Sequence, residues 1–234
     1  MHRLSWLLPA LLLFCTVAAD AERITLDLAS LSSWKEITFP WQPRHSIYES
    51  GTDSGQPQIR IESDNASSGL EYRQAFETYA TPILSWSWKA MNVLTKGNAE
   101  TKAGDDYAVR VYLMFPYDER HLSGAERLRY GFIKGLLGYY PASEILNYVW
   151  ANRLHTRNPI RNAYSSQGVM FLLDEGSTHL GEWRTHEVNI VDDYRAAFRR
   201  NPPPLFTLAI MGDTDNTHGR TTAYIRGISL RSPP

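Results

Sequence analysis

The sequence predicts an all-β protein, a β-sandwich of the jelly-roll or galactose-binding-like type with one or two short helical insertions. Apolar and polar residues alternate with a period of two in most segments, as they do in half-buried strands. Clusters of Gly, Pro, Ser, Asn and Asp separate these segments. The sequence lacks the regularly spaced helices that a parallel α/β sheet requires.

Three tryptophans belong to these alternating segments, Trp86, Trp88 and Trp183, and we expect all three to lie in the core. Turn-forming residues at 50–56 are expected to separate two strands. The final strand is expected beside an early one, which would close the sheet. The predicted strands are residues 24–28, 34–39, 58–62, 69–74, 84–89, 108–115, 146–152, 169–174, 183–190, 205–211 and 223–230.

One helix is predicted over residues 123–138, where Ser123 and Glu126 form a capping box. An apolar stripe follows, and Gly138 suits its end. This helix either packs on the sandwich as an insertion or forms a lid or interfacial helix beside a cleft. A second short helix is predicted at residues 192–200.

Residues 1–21 have the composition of a secretory signal peptide, with a basic start, an apolar run and small residues at the end. The apolar run is shorter than the ~20 residues of a membrane span. Cleavage after Ala19 or Ala21 would remove Cys15, the one cysteine of the chain. An uncleaved anchor is the alternative. We expect a single β-sandwich domain over residues 22–234, periplasmic or secreted, with no transmembrane span after cleavage.

The charge balance and the missing motifs exclude several function classes. Lys plus Arg number 24 and Asp plus Glu number 25, whereas a nucleic-acid-binding protein needs a basic surface. No phosphate-binding loop or dinucleotide-binding glycine motif occurs, so we expect no nucleotide or flavin. Once Cys15 is removed, thiol catalysis and cysteine-ligated zinc are excluded as well.

A compact polar group follows the predicted strand 205–211 and contains Asp213, Asp215 and Asn216. Two carboxylates and an amide are hard oxygen ligands of the kind that calcium prefers. The same residue types also cap backbone N–H groups in ordinary turns. A structural calcium ion and a plain turn are therefore the two interpretations of this segment.

A charged residue, Arg110, stands inside an apolar predicted strand. Because a buried unpaired charge is strongly unfavourable, we expect Arg110 to be paired, with Asp105, Asp106 or Glu187 as candidate partners. The pair is either structural and fixes strand register, or Arg110 faces a ligand. In the second case its guanidinium would bind a sugar carboxylate or a pair of hydroxyls.

Polar and aromatic residues of several strands would share one sheet face if Arg110 and Tyr112 point away from the main core. Such a face suits glycans, because rings stack on the C–H face of a sugar and fixed polar groups bind its hydroxyls. A basic, aromatic loop at residues 152–164 is expected beside it. The expected ligand-binding residues are Arg110, Tyr112, Trp150, Asn152, Arg153, Tyr164 and Glu187, and Ser87, Lys89, Thr185 and Asn189 would share their face.

Catalytic residues are less well defined by the sequence. Glu187 with Asp105 or Asp106 would supply the two carboxylates of a glycoside hydrolase. A tyrosine with His155 and Arg110 would instead suit a lyase that acts on uronates. The sequence leaves open whether the protein is an enzyme, and it leaves the oligomeric state open.

Five segments read, in order, WSWK (86–89), GDDYAVRVY (104–112), YVWAN (148–152), GEWRTHEVNIVDDY (181–194) and DTDN (213–216). Together they resemble the bacterial family known as domain of unknown function 3047, over about residues 24–231. The resemblance implies a secreted or periplasmic single domain and a β-sandwich, and no activity can be carried over. Residues 123–142 are an insertion relative to its pattern. The positions that the pattern marks are Asp105, Asp106, Arg110, Trp150, Glu187, Asp213, Asp215 and Asn216.

The leading functional hypothesis is an exported glycan-binding domain whose partner is a polysaccharide or oligosaccharide. One alternative is a hydrolase or lyase that acts on polysaccharides at the same sheet face. The other is an envelope protein that contacts a partner or lipid through the amphipathic helix at residues 123–140.

Overall fold

A computed structural model of the protein describes residues 22–116, 124, 125, 127, 128, 144–165 and 167–233. In this part of the chain, fourteen strands form two sheets that pack face to face. Helix α1 spans Ile190–Phe198, and two short 3-10 helices span Leu31–Ser33 and Lys102–Gly104. The strands are β1 Arg23–Thr25, β2 Trp34–Ile37, β3 Ile47–Asp53, β4 Gln56–Asp64, β5 Ser67–Tyr72, β6 Phe76–Glu77, β7 Ile83–Ala90, β8 Tyr107–Phe115, β9 Glu144–Ala151, β10 Ile160–Arg161, β11 Gly168–Glu175, β12 Arg184–Asn189, β13 Leu205–Asp213 and β14 Arg220–Arg231.

The front sheet has the strand order β12-β7-β14-β4-β3, with β1 paired to β14. The back sheet has the order β10-β11-β9-β8-β13-β5-β2, with β6 paired to β13. The last strand therefore lies beside the first, with Ile24 opposite Leu230, as the sequence predicts. The β9–β11 pair is parallel, whereas the other strand pairs in the described part of the chain are antiparallel. The connection between these two strands carries the short strand β10, so the chain enters β11 in the same direction as β9.

The core lies between the two sheets and follows the period-two alternation of their strands. In β7, Leu84, Trp86 and Trp88 point inward and are fully buried, whereas the residues between them are half-exposed. The rings of Trp86 and Trp88 meet edge to face with centroids 5.4 Å apart. The Trp88 indole N–H donates to the buried carboxylate of Asp174 at 2.7 Å, so this large ring is buried with its polar atom satisfied.

The short strands β6 and β10 are not predicted from the sequence, and β3 and α1 differ from the prediction in ways that have a physical reason. Residues 47–53 form strand β3, although residues 50–56 are predicted as a turn. Strand β3 lies at an edge of the front sheet and most of its residues are exposed, so it lacks the apolar alternation that marks a strand. Helix α1 begins at residue 190, two residues before the prediction, because the side chain of Asn189 caps it and accepts the N–H of Val191 at 3.0 Å.

The predicted helix at residues 123–138 falls largely outside the described residues. Its described positions, Gly124, Ala125, Arg127 and Leu128, are helical and exposed. The predicted signal peptide at residues 1–21 also lies outside them. Among the described helices, none has the length and apolar content needed to cross a membrane.

A tight contact between the sheets generates the first testable prediction. A methyl group added at Gly212 of β13 would lie 2.7 Å from Ile61 Cγ2 and 2.8 Å from the carbonyl oxygen of Ala108. Gly212→Ala is expected to lower the free energy of unfolding by about 1–3 kcal/mol, because the backbone of β8 cannot yield cheaply. Urea denaturation followed by tryptophan fluorescence measures this change.

Gly51→Ala is the matched control, since nothing lies within 4 Å of the added methyl group there. Its stability should stay within about 0.5 kcal/mol of the parent protein. Equal stability of the two variants would show that the sheets do not meet closely at Gly212.

Candidate functional site

A break in strand register brings Arg110 and Asp213 together at one end of the back sheet. The pairing of β13 with β8 shifts between Met211 and Asp213, and the Asp213 carboxylate accepts both the Arg110 guanidinium and the Tyr107 backbone N–H. Asp105 lies 3.8 Å from the same guanidinium. Arg110 is only 4% exposed and is paired, as the sequence demands. Its direct partner, however, is Asp213, which is not among the predicted partners, and of those only Asp105 lies within ion-pair distance in the described part of the chain.

More negative than positive charge is buried around this pair. The carboxylate of Asp213 lies near those of Asp105, Asp106 and Asp215 and near the Arg110 guanidinium. Burial raises the pKa of Asp213 well above its usual range, and the neighbouring carboxylates add to the increase while Arg110 opposes it. Although burial works against the charged guanidinium, the carboxylate of Asp213 holds the pKa of Arg110 above its usual value.

Asp106 ties the loop after β13 to the segment before β8. Its carboxylate accepts the backbone N–H of Asn216 at 3.2 Å, the side-chain amide of Asn216 at 3.0 Å and the backbone N–H of Thr217 at 2.6 Å. The remaining amide oxygen of Asn216 contacts the Tyr164 hydroxyl. These are the turn-capping contacts that the sequence offers as one interpretation of residues 213–216.

Three carboxylates that could hold a cation also lie here, and they differ in one residue from the set predicted from the sequence. Carboxylate oxygens of Asp106, Asp213 and Asp215 lie within 4.8 Å of one another. Asp106 therefore takes the place that the sequence analysis gives to Asn216, whose amide is used in hydrogen bonds. Asp215 is half-buried and accepts no hydrogen bond from any residue that the structure describes.

The basic, aromatic loop packs around this end of the sandwich. Asn152 is buried, accepts the Leu94 backbone N–H at 2.8 Å and donates to the Asp106 carbonyl oxygen at 2.6 Å. Arg153 is exposed and donates to the Gly97 carbonyl oxygen at 2.9 Å. The contacts of these two side chains are with the protein backbone, and both hold the loop after β7.

Two tyrosines lie near Arg110 and its aspartates: Tyr112 beside the guanidinium, and Tyr164 beside the loop after β13. The Arg110 guanidinium lies 5.2 Å from the ring centroid of Tyr112, which is half-buried on the outer face of the back sheet. Tyr164 is 54% exposed, and its hydroxyl also donates to the Lys102 carbonyl oxygen at 3.0 Å. Burial and the nearby carboxylates, Asp105 foremost among them, raise the pKa of Tyr164.

The structure does not bring Arg110, Trp150 and Glu187 to one face. Trp150 points into the core, is 1% exposed and donates to the Gly176 carbonyl oxygen at 3.1 Å. Glu187 is exposed on the front sheet and pairs with Arg231 at 2.8 Å, whereas Arg110 belongs to the back sheet. Period-two alternation predicts which side of a strand a residue takes, but it does not predict which sheet the strand joins.

The same separation applies to the candidate catalytic carboxylates. Glu187 lies on β12 of the front sheet, and Asp105 and Asp106 are buried beside β8 of the back sheet. The two aspartates are occupied by hydrogen bonds from Tyr107, Asn162 and the loop after β13, and nothing pairs them with Glu187. The described residues thus offer no Glu187–aspartate pair for glycoside hydrolysis.

A different group of polar and aromatic side chains does share one solvent-facing surface, the outer face of the front sheet. On the outer side of the front sheet, Ser87 and Thr185 form a hydrogen bond of 2.7 Å, and Lys89 and Glu187 lie on the same side, as predicted. Trp183 lies there too and is half-buried, so its expected place in the core is wrong. Trp183 precedes the edge strand β12 and lies beside Lys89, where the front sheet faces away from the core.

Five residues around this tryptophan form what we call the Trp183 cluster: Asp53, Lys89, Trp183, Tyr224 and Arg226. The indole N–H donates to the Asp53 carboxylate at 2.9 Å. The Arg226 guanidinium lies 3.9 Å from the Trp183 ring centroid. The Lys89 ammonium lies 4.7 Å from the Trp183 centroid and 4.9 Å from that of Tyr224. Cations at these distances are attracted by the ring quadrupole.

The Trp183 cluster connects residues at the two edges of the front sheet. Asp53 ends β3 and Trp183 precedes β12, and these are the two edge strands of the front sheet, separated by β7, β14 and β4. Their hydrogen bond therefore crosses the outer face of the front sheet. The alternation of 223–230 already places Tyr224 and Arg226 opposite the apolar residues, but no sequence signal connects Asp53 with Trp183.

These features define a class of protein: a mainly antiparallel two-sheet β-sandwich with a buried carboxylate–guanidinium cluster at one end and an aromatic and cationic outer face on the front sheet. Within that class, the chain belongs to the family described as protein of unknown function (DUF3047), whose model matches residues 32–229. The resemblance found in the five sequence segments is thereby confirmed.

Several solved structures share the general architecture, and no curated protein matches the sequence. The family 30 carbohydrate-binding module of a cellulosomal cellulase of Clostridium thermocellum is 11% identical, with a TM-score of 0.46 over 90% of this chain and 98% of that chain. The family 11 module of that organism, in complex with a mixed-linked tetrasaccharide, is 11% identical, with a TM-score of 0.41 over 92% and 98%. Endoglucanase 3 of Trichoderma harzianum, from family GH12, is 6% identical, with a TM-score of 0.42 over 92% and 98%.

The buried ion pair generates the second testable prediction. Arg110→Met is expected to lower the free energy of unfolding by about 3–5 kcal/mol, because Asp213 is left buried without its counter-charge. The double variant Arg110→Met with Asp213→Asn should recover part of the loss, since the stranded charge is removed. Guanidinium denaturation of the parent and both variants measures this difference.

Arg153→Met is the control, because that side chain is exposed and makes a single hydrogen bond to backbone. Its loss should be about 1 kcal/mol or less. If Arg110→Met unfolds no more easily than Arg153→Met, the Arg110–Asp213 pair does not stabilise the sandwich.

Proposed function

We propose that this protein is an exported glycan-binding domain and that the Trp183 cluster on the outer face of the front sheet is its binding surface. The observation that carries the proposal is a half-exposed tryptophan ring on a sheet face, surrounded by polar groups whose positions are fixed by hydrogen bonds and ion pairs. Export through residues 1–21 is part of the proposal, and the hydrophobic and small-residue composition of that segment supports it.

The chemistry of sugars fits this surface. A pyranose ring presents a face of C–H groups that packs against an indole or phenol ring, and Trp183 and Tyr224 lie on either side of Lys89. Its hydroxyls need donors and acceptors, which Ser87, Thr185 and Glu187 supply from neighbouring strands. Because these groups are held by the sheet, little conformational entropy is lost when a ligand binds.

We further propose that Asp106, Asp213 and Asp215 hold a cation, with calcium as the best match to their donor chemistry. Support comes from the excess of buried carboxylates over Arg110 and from the free oxygens of Asp215. Thr217 follows Asp215 by two residues, and its hydroxyl is buried without a hydrogen-bond partner among the described residues. The ion would be structural, since it would join the loop after β13 to the segment before β8.

Glycan binding generates the third testable prediction. Trp183→Ala is expected to lower the affinity for the bound oligosaccharide about tenfold or more, because the stacking surface is removed. A glycan array of bacterial and plant oligosaccharides identifies the ligand, and titration calorimetry compares the parent protein with the variant.

Trp41→Ala is the matched control, because Trp41 is 77% exposed and packs on Phe39 rather than on the front-sheet cluster. It should bind as the parent protein does, and thermal melting of both variants checks that they fold. An array without any ligand, or full binding by Trp183→Ala, would contradict the proposed surface.

The cation generates the fourth testable prediction. A chelator is expected to lower the melting temperature, and added calcium should restore it, because an ion that binds only the folded state stabilises it by about 2.7 kcal/mol at a hundred times its dissociation constant. Asp215→Asn should fold, since this side chain makes no hydrogen bond in the described part of the chain, and its melting temperature should no longer respond to calcium. A chelator-insensitive parent protein would leave residues 213–216 as a capped turn alone.

A further inference from the structure

We infer that the ligand of the Trp183 cluster carries carboxylate groups and is a uronate-containing oligosaccharide. This inference rests on the proposed function and narrows it to one class of substrate. Its basis is a pair of cations, Lys89 and Arg226, that share the single carboxylate of Asp53 and keep their hydrogen-bond donors free.

The two cations are held in place without using their N–H groups. Lys89 and Arg226 lie 3.9 Å and 3.6 Å from the Asp53 carboxylate, which is within ion-pair range and beyond a direct hydrogen bond. Neither side chain donates a hydrogen bond to any residue in the described ranges. Their positions are set instead by the rings of Trp183 and Tyr224.

The other cations of this face differ, because their donors are already in use. Arg60 donates to Glu49 at 2.9 Å and also to Glu62. Arg231 donates to Glu187 at 2.8 Å. Lys89 and Arg226 therefore differ from Arg60 and Arg231, because they retain free donors and share one carboxylate between two positive charges.

The geometry of Arg226 suits a carboxylate in particular. Its guanidinium lies on the Trp183 ring, 3.9 Å from the centroid, so the ring covers one side of the guanidinium plane. The N–H groups lie in the guanidinium plane and are not used by the described residues, so two of them can bind the two oxygens of one carboxylate. Lys89 adds a second positive charge between the two rings, so a uronate could stack and pair at the same place.

Partial burial strengthens this preference. The side chains of Lys89 and Arg226 are 19% and 21% exposed, so water screens their charges less than it screens the charges of fully exposed residues. The carboxylate of Asp53 already occupies one side of the pair, and its indole hydrogen bond keeps it there. A ligand carboxylate would bind on the solvent side and would be repelled weakly by Asp53.

The test uses a paired panel of oligosaccharides: galacturonate, glucuronate and mannuronate oligomers, the methyl ester of each, and the neutral oligomer of the same linkage. Titration calorimetry with the full-length mature protein should show at least one acidic oligomer binding about tenfold more tightly than its ester and its neutral counterpart. Raising the sodium chloride concentration should reduce this preference.

Three variants locate the preference on the proposed cations. Arg226→Gln and Lys89→Gln should each bring the affinity for the acidic oligomer down to that for its ester, about tenfold, with the melting temperature little changed. Asp53→Asn should act in the opposite direction and raise the affinity for the acidic oligomer about fivefold, because a like charge beside the bound carboxylate is removed. Arg220→Gln on the same strand is the control, since its guanidinium already serves Glu62.

The outcomes separate this inference from the proposed function. If acidic and neutral oligomers bind equally, the glycan-binding function stands and the uronate preference is wrong. If no oligomer of any kind binds, the proposed function fails and the inference falls with it. If the acidic preference persists in Arg226→Gln and Lys89→Gln, the carboxylate is recognised elsewhere and the inference is overturned.

Discussion

The structure at one end of the back sheet depends on one requirement: the positive charge of the buried Arg110 guanidinium must be balanced by a negative charge. A buried charge is tolerated only beside an opposite charge, and Asp213 provides it through the register shift near the end of β13. The shift places Asp213 of β13 opposite Tyr107 of β8, where its carboxylate reaches the Arg110 guanidinium. The bulge, the ion pair and the joining of the two loops are thus one arrangement.

This match is made with more carboxylates than a single cation needs, and hydrogen-bond donors compensate for the excess. Backbone N–H groups of Tyr107, Asn216 and Thr217 and the side-chain amide of Asn162 all point to these aspartates. Charge-assisted bonds of this kind are stronger than neutral ones. They lower the cost of burying the carboxylates and at the same time tie the segment before β8 to the loop after β13.

The sequence predicts most of this fold, because buried strands have a recognisable alternation. Strand β7, with Leu84, Trp86 and Trp88 facing inward, lies within one residue of its predicted bounds at either end. Strand β3 could not be predicted, since an exposed edge strand has no apolar face. The need of Arg110 for a partner was predictable, but the membership of β8 and β12 in different sheets was not. For that reason Trp183 and Arg226, which meet only through long-range pairing, escape prediction.

Burial separates the two polar clusters into different roles. Around Arg110 the charged groups are buried and interact with one another, so they stabilise the fold and are not available to a ligand. Around Trp183 the cations are partly exposed, and the aromatic rings position them without occupying their donors. A surface that leaves charged donors unsatisfied bears a cost that water repays only in part. An anionic ligand would satisfy those donors more fully, and this difference is the physical basis of the recognition surface that we propose on the outer face of the front sheet.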